Sequence, residues 1–177
     1  VVARLVKEAT ADDPDAVATH ARASAEVTHA HPDGQAGAIA AALGAAYAHR
    51  WRTDRAALGG QSLFDFVLAR TPGSATREMI ERAATIDASE TVEIAMWALG
   101  TGSKVTSADT VPFSLWCAAR HLGDYEEALW ATVSGLGDRD TTCAIVGGIV
   151  ALSCERQRIP EVWLRAREAL RRDTQSA

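Results

Sequence analysis

Apolar positions recur at helical spacing along most of this chain. Val17, Ala21 and Ala25 stand four apart behind Asp13-Pro14, a capping residue followed by proline at the first helical position. The spacing predicts a helix from Pro14 to about Thr28, then a turn over His29-Ala30-His31-Pro32-Asp33-Gly34, because Pro32 disfavours helix at His31 and Asp33-Gly34 suits a turn. A second helix is predicted from about Gln35 to His49, with Ile39, Leu43, Ala46 and Tyr47 on one side. Its Gly37 and Gly44 each cost roughly 1 kcal/mol against alanine, so a closely approaching neighbouring backbone is expected there. Shorter amphipathic segments follow at Ser62 to Arg70, Ala75 to Ile86 and Ser89 to Leu99. Leu99 to Asp109 reads as a loop, and a helix starts near Thr110 with Pro112 in its first turn. Asp124 to Glu127 resembles a capping box, and further helices are expected after Asp138 and from Pro160. No alternating strand, internal repeat or low-complexity block interrupts this pattern, so the expected class is all-α, one domain over residues 1–177.

Composition agrees. Alanine is abundant and β-branched runs are scarce, which favours closely packed helices. The net charge of -5 disfavours nucleic acid as a partner, since phosphate backbones are met by basic faces. No apolar stretch approaches the ~18 residues that a membrane span needs. Three cysteines, Cys117, Cys143 and Cys154, sit among apolar residues and read as reduced core thiols of a cytoplasmic protein. The opening residues, Val1 to Leu5, lack an initiator Met and a signal peptide's long apolar segment, as in a chain cut from a longer one.

Three stretches can carry chemistry. The first is Gly137-Asp138-Arg139-Asp140-Thr141 entering the apolar segment Ala144 to Val150. Two carboxylates two residues apart with an adjacent hydroxyl can converge on a hard cation such as Mg²⁺ or Mn²⁺. The same residue types are good helix caps, so spacing alone leaves capping and metal binding both open. Gly147 and Gly148 inside that helix imply that something approaches it closely. The second is Thr28 to Gly34. Its histidines at i and i+2 do not share a helix face and make a poor zinc pair. A neutral imidazole at a helix end can instead hydrogen-bond a phosphate or ribose. The third is the loop Gly100 to Ser107, whose backbone N–H groups can line a phosphate pocket.

In this order, Thr28-His-Ala-His-Pro-Asp-Gly34, Gly100-Thr-Gly102, Thr110-Val-Pro-Phe-Ser-Leu-Trp116, Asp124-Tyr-Glu-Glu-Ala-Leu129, Gly137-Asp-Arg-Asp-Thr141 and Ile159-Pro-Glu-Val-Trp163 resemble the ADP-ribosylglycohydrolase family. That family includes the dinitrogenase-reductase-activating glycohydrolases and lens crystallin J1. The resemblance implies a compact orthogonal helical bundle around two divalent cations, Mg²⁺ or Mn²⁺. It implies that Asp138, Asp140 and Thr141 are metal ligands, that His29 contacts substrate, and that the segment around Gly102 lines the ADP-ribose cleft. The implied reaction is hydrolysis of the bond from ribose C1 to an acceptor side chain, with ADP-ribose or an ADP-ribosylated protein as partner. The chain departs from the family at Arg139, where a threonine is usual. The family's early Thr-Asp-Asp ligands and catalytic glutamate are not found ahead of His29, and Thr10 to Asp13 reads as the cap of the first helix. This predicts an amino-terminally truncated domain that is inactive alone and that associates, as a homodimer or with a missing amino-terminal segment, to cover exposed apolar surface. A non-catalytic, crystallin-like scaffold is the alternative expectation.

Overall fold

One helix carries apolar residues on every side, and the others are arranged around it. The computed structural model of the chain describes residues 13–168, and among these there are nine α-helices and no strand. They are α1 (Pro14–Glu26), α2 (Pro32–Thr53), α3 (Leu63–Leu68), α4 (Ala75–Ala84), α5 (Val92–Leu99), α6 (Ser107–Arg120), α7 (Tyr125–Ser134), α8 (Arg139–Val150) and α9 (Glu161–Ala166). Short 3₁₀ turns lie at Arg55–Leu58 and Arg156–Arg158.

The central helix is α2, in contact with α1, α3, α4, α6 and α8. Every residue from Ile39 to Ala48 is buried, as expected of a helix that is apolar all round. Its alanines keep the cylinder thin, so large side chains from the surrounding helices, Leu115, Phe113, Ile149 and Ile80 among them, complete the core. The second buried helix is α6, enclosed from Asp109 to Ala118. Its Ser114 hydroxyl donates to the Thr110 carbonyl, and no buried side-chain polar atom among the described residues lacks a partner.

Contacts along α2 fix the direction of its neighbours. A Cβ at Gly37 would lie 2.0 Å from Ser107 Oγ and 3.2 Å from Val111, and one at Gly44 would meet Leu115 at 2.9 Å and Ile149 at 3.2 Å. Position numbers thus rise together on α2 and α6. The same holds for α8, where Ile145 shares a wall with Ala38 and Ala41 while Ile149 reaches Gly44. The three helices run in the same direction, and their N-termini meet at one end of the bundle.

Several sequence expectations change. The helix predicted from Gln35 to His49 begins at Pro32 and continues to Thr53. Pro32 is its first residue, where the missing N–H costs nothing, and His31 Nδ1 accepts the Asp33 N–H as a cap. Helix α6 begins at Ser107, three residues earlier than expected, which places Pro112 inside it. Gly37 and Gly44 are approached by side chains rather than by a backbone. Gly147 is approached by the Tyr125 hydroxyl at 3.0 Å, but Gly148 faces open space, so its expected close neighbour is absent. The last helix is short and has no buried residue, with Trp163 resting edge-on against Tyr125 and Trp130. Leu170, assigned to that helix from the sequence, lies outside the described residues, as do Val1 to Asp12. The three cysteines are unpaired thiols. Burial pushes all three thiols up, that of Cys117 to about 12; Cys117 and Cys154 are buried as expected, whereas Cys143 is only half-buried.

Candidate active site

At the end where α2, α6 and α8 begin, a cleft of about 640 Å³ opens. Its walls bring together His29 and His31 after α1, Asp33 to Ala41 of α2, Val105 to Val111 of the loop and α6, and Asp138, Thr141 and Ile145 of α8. Three helix N-termini here give a positive potential, and Asp33 and Asp138 partly offset it. Such a place suits an anionic ligand, with a cation requiring carboxylates to hold it.

His29 sits on one rim. Its Nδ1 is 2.7 Å from the Thr28 hydroxyl, and Gln35 Nε2 donates to its carbonyl. The ring lies over Gly34, where an added Cβ would be 3.0 Å from His29 Cβ. A larger residue at position 34 would press on the His29 side chain and shift it by a few tenths of an ångström. Below it, the Asp33 carbonyl accepts from Thr76 Oγ1, which is itself 2.9 Å from Ser107 Oγ. That chain ties the starts of α2, α4 and α6 together.

Asp138 forms the opposite rim as the N-cap of α8, accepting the Thr141 N–H at 3.3 Å. The Thr141 hydroxyl and, after it, the Asp140 carboxyl reach the Asp138 carboxylate, and together with the Thr141 N–H they hold its pKa below the ordinary carboxylate range. Of the three residues expected to hold metal, Asp138 and Thr141 line the cleft and Asp140 does not. Asp138 is thus a helix cap in this structure, the first of the two readings left open by the sequence. Arg139 is exposed and absent from the cleft wall, and its charge acts on Cys143.

Gly102 does not line the cleft but lies directly behind Asp138. Its φ is 86°, and an added Cβ would lie 2.8 Å from Asp138 Cβ. Thr101 accepts the Asp138 N–H at 3.0 Å through its carbonyl, and Gly137, with φ 64°, packs on the Thr101 side chain. The loop thus clamps the α7–α8 turn. Its own shape comes from Asp109, only 6% exposed, whose Oδ2 accepts the Lys104 N–H while its carbonyl accepts the Gly102 N–H. The Val105 N–H donates to the Gly102 carbonyl, leaving Val105 at φ 55° and 88% exposed on the cleft rim. Three of the loop's N–H groups are engaged internally, so the loop is not the open row of phosphate donors expected from its composition. Asp109, Thr76 and Ser107 were not read from the sequence as site residues. The signal for Asp109 was a lone carboxylate entering an otherwise apolar helix.

Among the described residues no group of three or more His, Cys, Asp and Glu side chains is placed to hold a metal ion. The donors present are two carboxylates and a hydroxyl. Magnesium is commonly held by one or two carboxylates with waters and substrate phosphates completing its octahedron, so this set fits one edge of such a site.

The ADP-ribosylglycohydrolase family model matches residues 2–176, nearly the whole chain. The chain belongs to the ADP-ribosylglycohydrolase family. Its all-α architecture is that family's fold class. The family hydrolyses ADP-ribosylated substrates and is generally metal-dependent. No curated protein and no solved structure matches this ADP-ribosylglycohydrolase family member.

Proposed function

We propose that the cleft binds the ADP-ribose moiety of an ADP-ribosylated protein together with Mg²⁺ or Mn²⁺. The observation that carries this reading is that His29, the loop before α6, and Asp138 with Thr141 share one cleft at three helix N-termini. Asp138, Asp140 and Thr141 would hold the cation, which when bound supplies Lewis acidity toward ribose hydroxyls and water. The helix N-termini favour the diphosphate. His29 is held through Nδ1 and its ring position over Gly34, which suits a hydrogen bond from the imidazole to ribose or phosphate. Gly102 supports Asp138 from behind and so acts on position rather than by contact.

Hydrolysis of the ribose C1 bond also requires a group to activate water. The carboxylates lining the cleft among the described residues are Asp33 and Asp138, and Asp33 Oδ1 accepts the Thr76 N–H at 3.4 Å. The chain alone is therefore expected to bind ADP-ribose and to release little of it from a modified protein. A non-catalytic scaffold is the second reading, favoured by the lack of a third acidic or histidine ligand beside Asp138 and Asp140 among the described residues.

Calorimetric titration of ADP-ribose with Mg²⁺, then with EDTA, tests the proposal. Saturable, metal-dependent heat in the wild type is expected. Asp138→Asn should abolish the metal dependence while leaving thermal stability nearly unchanged, because asparagine caps helices as well as aspartate does. Absence of any saturable heat from the wild type would favour the scaffold. Unaltered metal dependence in Asp138→Asn would remove Asp138 from the cation site.

A further inference from the structure

Every residue of α5 except Glu93 is apolar. A helix of that kind is normally enclosed on all sides. In this chain only Ala95 and Leu99 of α5 are buried, Ile94 is exposed, and Trp97 is left 87% exposed. Beside Trp97 lies a groove of about 690 Å³ between α4, α5 and the loop before α6, with Met79 and Met96 on its floor. Methionine is over-used at surfaces that adapt to another chain. The ionisable groups of the groove are Arg82, Lys104 and Asp109. Asp109 is buried and turned to the Lys104 backbone, with Lys104 Nζ at 4.0 Å from its other oxygen. Arg82 is exposed and has no carboxylate partner among the described residues. Asp109 offsets Lys104, so on a chain of net charge -5 the cation this apolar groove presents is Arg82.

The same loop forms both clefts. Thr106 lines the groove and the candidate active site, and Thr101, on the groove wall, accepts the Asp138 N–H. A polypeptide in the groove would lie one loop thickness from His29 and Asp138. We infer that the groove beside Trp97 docks an acidic segment, anchored by an apolar side chain, of the ADP-ribosylated protein whose modification enters the neighbouring cleft. The inference rests on the function proposed above. The charge of Arg82 selects an acidic flank, and Trp97 with the two methionines receives the apolar anchor.

The test uses the full chain and two peptides, acetyl-Glu-Leu-Glu-Phe-Glu-amide and its counterpart with lysine for each glutamate. Calorimetry with the acidic peptide should saturate with a Kd below ~1 mM, and tryptophan emission should shift to the blue. Trp97→Ala, followed by calorimetry because it removes a fluorophore, should abolish binding. Arg82→Glu should weaken it about tenfold, and both positions are exposed enough for the variants to fold, as circular dichroism will report. No saturation at that concentration, or equal binding of the lysine peptide, would overturn the inference. So would a wild-type dimer that Trp97→Ala converts to monomer in light scattering, since a second copy would then be the occupant. ADP-ribose titrated separately distinguishes the two claims. Peptide binding without ADP-ribose binding defeats the active-site proposal and the link between the sites, whereas ADP-ribose binding without peptide binding defeats the groove alone.

Discussion

Gly102 illustrates how a residue without a side chain can shape a site. Its left-handed φ of 86° and its contact with Asp138 each disfavour a Cβ. Gly102→Ala should lower stability by at least ~1 kcal/mol, since alanine at positive φ is strained and its methyl would press on Asp138 Cβ. Asp138 would have to move, so ADP-ribose affinity should fall in the same variant. Chemical denaturation and calorimetry check the two effects, and a Gly102→Ala protein with unchanged stability would show that the loop does not clamp Asp138. The sequence marked Gly102 as a substrate contact through the family motif. What it could not show is that Gly102 packs behind Asp138 instead of lining the cleft, because the two are 36 positions apart and the link is a backbone bond from Asp138 to Thr101. Asp109 was hidden for a related reason. A carboxylate at a loop end reads as solvent-exposed until the glycines at positions 100 and 102 let it fold beneath the loop.

Among the helices, glycine again separates what pattern can and cannot tell. Gly37, Gly44, Gly147 and Gly148 all stand inside helices, and composition predicts a close neighbour for each. Three have one. Gly37→Ala would place a methyl 2.0 Å from Ser107 Oγ, in the crossing of α2 and α6 that sets the cleft width. A loss of about 1–3 kcal/mol is expected, as for other overpacked sites. Gly148 meets nothing within 4 Å, so Gly148→Ala should instead stabilise by about 0.4–1 kcal/mol through the unfolded chain. Urea denaturation of the pair should give shifts of opposite sign, and shifts of the same sign would contradict this packing. Pattern found α1 accurately because Asp13-Pro14 is both a cap and a first-turn signal. It misplaced the start of α2 because His31-Pro32 reads equally as a turn, and only the cap from His31 Nδ1 to the Asp33 N–H decides between them.

For the molecule as a whole, α2 is the shared surface of α1, α3, α4, α6 and α8, and α6 packs in turn on α4 and α8, so the core is continuous through the bundle. Of the exposed large apolar residues, Ile94 and Trp97 share α5, while Val27, Trp130 and Val162 stand elsewhere. Residues 13–168 are expected to unfold as one cooperative unit, the behaviour of a single domain. Far-ultraviolet circular dichroism and tryptophan emission should then trace the same urea transition, because Trp116 is in the core while Trp163 rests outside it on α7. A separate early emission change would mean that α9 and its aromatic contacts come away independently. The transition should also depend on pH through His121 at the end of α6. Burial first, then the neighbouring Arg120, lowers the pKa of this histidine from its ordinary value of 6.5. The folded state therefore binds fewer protons here than the unfolded state once the pH drops below that value. The associated stability is present above pH 6.5 and is lost as pH falls through the folded-state value. The urea midpoint should decrease between about pH 7.5 and about pH 5, and His121→Gln should flatten that slope. An unchanged slope in His121→Gln would assign the acid sensitivity to other groups and leave the half-buried end of α6 without a part in it.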